Sequence, residues 1–211
     1  MLPTIILGSV ALVVFIAVFL LEKSRRARQL ALLTQRLTEQ QREELVEDFK
    51  LFRRIPEDTK IKLEGMILLF VDSKTFEPCG GLEEVTGRIQ RLIAAQACLL
   101  IVNKSLSAYK NLRTILLYPD AFGYDDRGVR LGESWNNGTV ILSQQSVLAG
   151  GANDHDGHDV TIHEFAHQLD QANDVGIGLP YLESHGAYKQ WGTVFSKAFE
   201  KFNDKLEHSK K

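Results

Sequence analysis

The sequence has few cysteines and no excess of charge of either sign. Its two cysteines, Cys79 and Cys98, cannot form a disulfide framework and fit a reducing compartment. The 25 Lys and Arg residues are balanced by 27 Asp and Glu residues, for a net charge of −2. No basic excess is available to neutralise phosphates, so we expect no nucleic-acid partner. No internal repeat is present, and 211 residues with 44% hydrophobic content are typical of one globular domain with an appendage.

An uncharged hydrophobic run lies near the amino terminus. It covers residues 5–21, which is 17 residues, close to the lower limit for a helix that spans a bilayer. Basic residues follow it immediately, and the positive-inside rule would keep them in the cytoplasm. We therefore expect residues 1–22 to be a transmembrane helix, a single-pass anchor in the inner membrane with the rest of the chain facing the cytoplasm. A buried core helix is the alternative.

Residues 23–54 have the pattern of a polar helical stalk. A thin apolar stripe runs along the segment at spacings of three and four residues, formed by Leu30, Leu33, Leu37, Leu45, Phe49 and Phe52. The stripe favours packing on the chain's own domain, with pairing to a partner helix as the alternative.

The strongest chemical signal is an H-E-x-x-H motif at residues 163–167. At about 100° per residue, His163 and His167 lie on one face of a helix. Both imidazoles can then reach one zinc ion, and Glu164 lies close enough to act as general base toward a metal-bound water. The motif predicts a zinc hydrolase that acts on peptide bonds.

The residues around the motif favour a helix. Ile162, Phe165, Ala166 and Leu169 form an apolar stripe that we expect to be buried. Asp159 precedes the stripe and is a candidate N-cap. The alternative is an amphipathic helix with two exposed histidines and no metal.

The rest of the chain predicts an α+β domain. Helical patterns cover residues 61–70 and 86–102, and residues 114–118 have the composition of a strand. Residues 129–135 and 139–143 flank an Asn-Asn-Gly sequence, which is a hairpin signal. We therefore expect a small sheet beside the motif helix, with one edge strand able to bind the backbone of a substrate.

Several segments resemble the Mlc titration factor A family. They are residues 76–82, 94–100, 132–143 and 162–170, and the resemblance extends over residues 50–205. It implies a zincin-like fold and a bacterial zinc-dependent peptidase of the gluzincin type, with His163 and His167 as zinc ligands, Glu164 as the catalytic base and a peptide or protein as substrate. The family's best-known member is cytosolic and binds the repressor Mlc, so the resemblance also implies a transcriptional repressor as a candidate partner.

None of the segments that resemble the family contains the third zinc ligand. In the family it is a glutamate on a later helix, about 60 residues beyond the motif. We expect this ligand to lie beyond Lys211, which leaves the peptidase-like domain at residues 55–211 incomplete at its carboxyl end. The downstream candidates carry no convincing motif: Glu183, His185, Glu200 and Glu207.

Two functions follow from the sequence. The first is a membrane-anchored zinc metallopeptidase. The second is a catalytically impaired protein that keeps the peptidase fold and binds a regulator.

Overall fold

The structure is a computed structural model that describes residues 2–125, 128–130, 132–135, 138–171 and 184–209. The chain divides into two compact units, Met1–Ala172 and Asn173–Lys211. The first unit contains the motif and has the α+β fold expected from the sequence, with a small mixed sheet.

The prediction of a transmembrane helix at residues 1–22 is wrong. Helix α1 spans Leu2–Thr34, but no helix in the described part of the chain is sufficiently long and apolar to cross a membrane. The uncharged run has 17 residues where about 20 are needed, and the helix continues directly into Glu22, Lys23 and Arg25. The expected inner-membrane location is corrected for the same reason.

The carboxyl end of α1 packs closely on helix α3, which spans Glu57–Ser73. A Cβ atom at Gly65 of α3 would lie 2.2 Å from the carbonyl oxygen of Leu33, so only glycine permits this approach. Arg28 of α1 also forms an ion pair with Asp72 of α3. This end of α1 is therefore part of the folded unit.

A short helix and a 3-10 helix follow α1. Helix α2 spans Glu39–Asp48 and begins with a capping box, in which Thr38 and Gln41 exchange hydrogen bonds of 3.3 and 3.0 Å between side chain and backbone. The 3-10 helix spans Lys50–Arg54. Leu45, Phe49 and Phe52 are buried in the same hydrophobic core as the motif helix.

The centre of the core is formed by α3 and helix α4, which spans Gly87–Leu99. Both helices were predicted from the spacing of their apolar residues, with somewhat different ends. Thr86 caps α4, because its hydroxyl accepts a hydrogen bond from the Ile89 amide at 3.4 Å.

A mixed sheet of four strands lies beside these helices. Its order is β1-β2-β6-β5, where β1 is Thr75–Pro78, β2 is Thr114–Tyr118, β5 is Gly132–Trp135 and β6 is Thr139–Ser143. The first two pairings are parallel, and β5 pairs antiparallel with β6. Strands β3, Phe122–Asp125, and β4, Gly128–Arg130, form a separate antiparallel pair.

The sheet confirms the predicted strand at residues 114–118. It also confirms the predicted hairpin, but the first strand is shorter than expected, since residues 129 and 130 belong to β4 and pair with β3. The hairpin residues 136 and 137 lie outside the described part of the chain. Strand β1 was not predicted, because four residues that include a proline give little periodic signal. Helix α5, Gln144–Ala152, was also not predicted, since it is short and contains two glycines.

The motif lies on helix α6, which spans Val160–Gln171 and packs on β5, α4 and α5. In the second unit, helix α7 spans His185–Ser209. It is amphipathic, with Val194, Phe195, Phe199 and Phe202 exposed on one side.

Candidate metal centre

The motif helix begins at the predicted cap. Asp159 Oδ1 accepts a hydrogen bond from the Ile162 amide at 2.8 Å, and its carbonyl oxygen accepts one from the His163 amide at 3.0 Å. Gly150 of α5 lies against this carboxylate, since a Cβ atom there would come 2.9 Å from Asp159 Cγ. Burial raises the pKa of Asp159, while hydrogen bonds from the Ile162 and Thr161 amides lower it by a smaller amount.

The buried side of α6 holds the helix in the core. Phe165 is fully buried and meets the rings of Phe70 and Tyr109 edge to face, with centroids 5.7 and 5.5 Å away. Ala166, which we expected to be buried, is exposed. The buried side instead includes two polar residues that face strand β5: Glu164 lies against Gly132, and Gln168 hydrogen-bonds to Ser134 and Trp135.

His163 and His167 meet on the exposed side of the helix. Their Nε2 atoms are 3.1 Å apart, and the ring planes are inclined by 84°. Two nitrogens bound to a tetrahedral zinc ion at about 2.0–2.1 Å would be about 3.3 Å apart. The arrangement of the two imidazoles therefore fits a shared metal ion.

Glu164 directly follows His163, about 100° further around the helix, and is only 7% exposed. Burial raises the pKa of this carboxyl, whereas the charges of His163 and His167 lower it and Glu133 of β5 raises it further. Gly132 of β5 lies against this carboxyl group, and its lack of a side chain leaves room for it. A buried carboxylate of raised basicity beside two metal-ligand candidates is suited to accept a proton.

Gln168 connects α6 to strand β5 and was not singled out from the sequence. Its amide nitrogen donates to Ser134 Oγ at 2.6 Å and to the Trp135 carbonyl oxygen at 3.2 Å. Gln171 adds a contact to the Ser134 carbonyl oxygen at 3.4 Å. The only sequence signal was the position of Gln168, four residues after Glu164 on the same helical face.

A third metal ligand is not found among the described residues, which contain no group of three His, Cys, Asp or Glu side chains that could hold an ion. Of the four downstream candidates, Glu183 lies outside the described part of the chain. His185, Glu200 and Glu207 belong to α7 in the second unit.

Comparison with known proteins identifies relatives over most of the chain. The family model described as glucose-regulated metallo-peptidase M90 matches residues 21–211. An uncharacterized protein of Synechocystis sp. is 36% identical over 161 residues, which cover 70% of this chain and 58% of the relative. Mlc titration factor A of Escherichia coli O7:K1 is 30% identical over 141 residues, which cover 61% of this chain and 52% of the relative.

A third relative is also an Mlc titration factor A. Mlc titration factor A of Shigella flexneri is 29% identical over 141 residues, with the same coverage of 61% and 52%. The matched part of the chain thus spans a little over half the length of these relatives.

Proposed function

Because the chain belongs to the glucose-regulated metallo-peptidase M90 family, we propose that it contributes two ligands and the general base to a zinc-dependent peptidase centre. The observation that supports this most directly is the 3.1 Å separation of the His163 and His167 Nε2 atoms.

His163 and His167 would hold the zinc ion through these nitrogens. When bound, the ion would supply a Lewis acid that acidifies water and stabilises negative charge on a carbonyl oxygen. A catalytic zinc ion usually has three protein ligands. The third would come from a residue outside the described part of the first unit.

Glu164 would act as the general base. Its burial makes the carboxylate a better proton acceptor. The carboxylate would take the proton from the attacking water and pass it to the leaving amine. This transfer would require no other acid from the helix.

Strand β5 would bind the substrate. It is the last strand in the order of the described sheet and packs directly on the motif helix. An extended peptide could pair along the side of β5 away from β6 and place a carbonyl group beside the histidines. Trp135 at the end of β5 is 42% exposed and could contact a substrate side chain.

The mechanism is tested with Glu164→Gln in this chain, with Glu43→Gln as the control because Glu43 is exposed on α2. Zinc content and cleavage of an unstructured protein such as casein are measured for both variants. We expect Glu164→Gln to keep its zinc and lose about 100-fold or more in turnover, with no change for the control. Unchanged turnover in a zinc-loaded Glu164→Gln protein would contradict the proposed base.

A second function is supported by the names of the relatives, which are titration factors for Mlc. In this case the chain would bind a repressor of the Mlc type through a surface that does not need the metal. We expect purified Mlc to bind equally to the wild-type chain and to a His163→Ala/His167→Ala variant. Measurable zinc-dependent proteolysis together with no binding of Mlc would rule out this second function.

A further inference from the structure

A basic cleft lies in the first unit, formed by α1, α3 and the segment that follows α4. Its volume is about 1080 Å³. Sites for small molecules commonly measure about 300–1,000 Å³, so the cleft could hold a ligand of nucleotide size. None of the three motif residues lines it.

The lining of the cleft is positively charged. Seven of its residues are basic and none is acidic: Arg25, Arg26, Lys62, Lys74, Lys104, Lys110 and Arg113. The whole chain carries a net charge of −2, so this concentration is a local property and not a consequence of composition. A concave surface with charge of one sign raises the local concentration of anions.

These charges have few partners in the described part of the chain. Lys74 is the only one of the seven whose side chain makes a described polar contact, since its Nζ donates to the carbonyl oxygens of Tyr109 and Leu112 at 2.9 and 2.7 Å. The acid next to the cleft residue Ser73 is Asp72, which is paired with Arg28. No ion pair within the described residues neutralises the other six basic side chains of the cleft.

The cleft also has apolar and hydroxyl groups. Leu30 of α1 is 66% exposed beside the two arginines, and Leu33 and Leu69 continue this apolar wall. Ser105 and Ser107 are exposed residues on the opposite lining segment, and their hydroxyl groups hydrogen-bond to each other. Hydroxyl and cationic donors suit phosphate oxygens, while the apolar wall suits a ring or alkyl group.

We propose that this cleft binds a small molecule with several phosphate groups and an apolar part, which is the chemistry of a nucleoside triphosphate. Seven cations exceed what a single carboxylate or phosphate would neutralise. The cleft volume of about 1080 Å³ is that of a small-molecule site. The site is independent of the proposed metal centre.

The test measures binding of ATP and of inorganic tripolyphosphate by titration calorimetry, after removal of metal from the protein with a chelator. Two double variants are compared, Lys104→Glu/Lys110→Glu in the cleft and Lys50→Glu/Lys201→Glu outside it. All four lysines are exposed, and both pairs change the net charge by the same amount. Circular dichroism checks that each variant is folded.

We expect ATP to bind with one-to-one stoichiometry and more tightly than tripolyphosphate, because only ATP contacts the apolar wall. The cleft pair should weaken binding by at least about tenfold and the outside pair by less than about twofold. Glu164→Gln should bind ATP as the wild type does, so a failure of the peptidase mechanism leaves this result unaffected.

Three results would overturn the proposal. Equal loss in the two double variants would show that binding follows net charge and not the cleft. Tighter binding of a glutamate-rich peptide or of a single-stranded oligonucleotide would assign the cleft to a macromolecule. Equal affinity for ATP and tripolyphosphate would eliminate the apolar contact and with it the proposed class of ligand.

Discussion

Gly132 of strand β5 lies directly against Glu164 of the motif helix. A Cβ atom at Gly132 would come 2.7 Å from Glu164 Cγ and 3.0 Å from its Oε1. It would also come 2.7 Å from Val160 Cγ1, so the side chains of Val160 and Glu164 both pack against this glycine. The strand that would bind a substrate and the proposed base are thus separated only by van der Waals contact.

Gly132→Ala should displace the Glu164 carboxylate, because the added methyl group takes its space. We expect turnover to fall about 10- to 100-fold and stability to fall by about 1–3 kcal/mol, while zinc content stays unchanged. Casein cleavage, metal analysis and thermal unfolding measure the three effects. Gly192→Ala is the control, since a Cβ atom there meets nothing within 4 Å. Full activity and stability in Gly132→Ala would contradict the described contact.

Gln168→Met should weaken the contact between α6 and β5. The substitution keeps the length of the side chain but removes the hydrogen bonds to Ser134 Oγ and the Trp135 carbonyl oxygen. We expect a loss of about 1–3 kcal/mol in the free energy of unfolding, because two partly buried acceptors lose their donor. Gln145→Met on the exposed side of α5 should have little effect in the same urea titration. If both variants were equally stable, the hydrogen bonds from Gln168 to β5 would make no contribution to the free energy of unfolding.

Asp159→Ala should destabilise the motif helix by about 1 kcal/mol, since it removes the cap.

Asp159→Asn keeps an acceptor and removes the buried charge. Burial raises the pKa of Asp159 above its ordinary value of 3.8, so the folded state binds a proton more tightly than the unfolded state does. The contribution of this carboxyl to stability is therefore greatest below pH 3.8 and declines as the pH rises through the folded-state pKa.

This sign predicts how Asp159→Asn compares with the wild type. The stability of the wild type relative to the variant should decrease between about pH 4 and pH 7, measured by urea unfolding at each pH. An increase over this range would show that the cap hydrogen bonds outweigh burial at this carboxyl.

Gly65→Ala should disturb the contact between α3 and α1. The new methyl group would overlap the Leu33 carbonyl oxygen, and backbone cannot move aside as a flexible side chain can. We expect a loss of about 1–3 kcal/mol in chemical unfolding. Gly87→Ala is the matched control, because the nearest atom there is the mobile end of the Arg91 side chain at 3.1 Å. A neutral Gly65→Ala would mean that α1 does not pack on α3 in solution.

Local patterns were sufficient to predict several features of this protein. The periodic apolar residues of α3 and α4, the strand at residues 114–118, the hairpin of β5 and β6 and the Asp159 cap all depend on interactions between residues close in sequence. The H-E-x-x-H spacing alone placed His163 and His167 on one helical face, because that geometry is internal to a helix. The sequence resemblance also led to the correct family.

Other features depended on distant parts of the chain and could not be read from local patterns. Hydropathy indicated a transmembrane helix, but the run at residues 5–21 is too short and leads into a segment that packs on α3. The burial of Glu164 and Gln168 follows from the packing of α6 on β5, where Gly132 lies against Glu164 and Ser134 accepts a hydrogen bond from Gln168. The seven basic residues of the cleft come from segments up to 88 positions apart in sequence, and only tertiary packing brings their charges together.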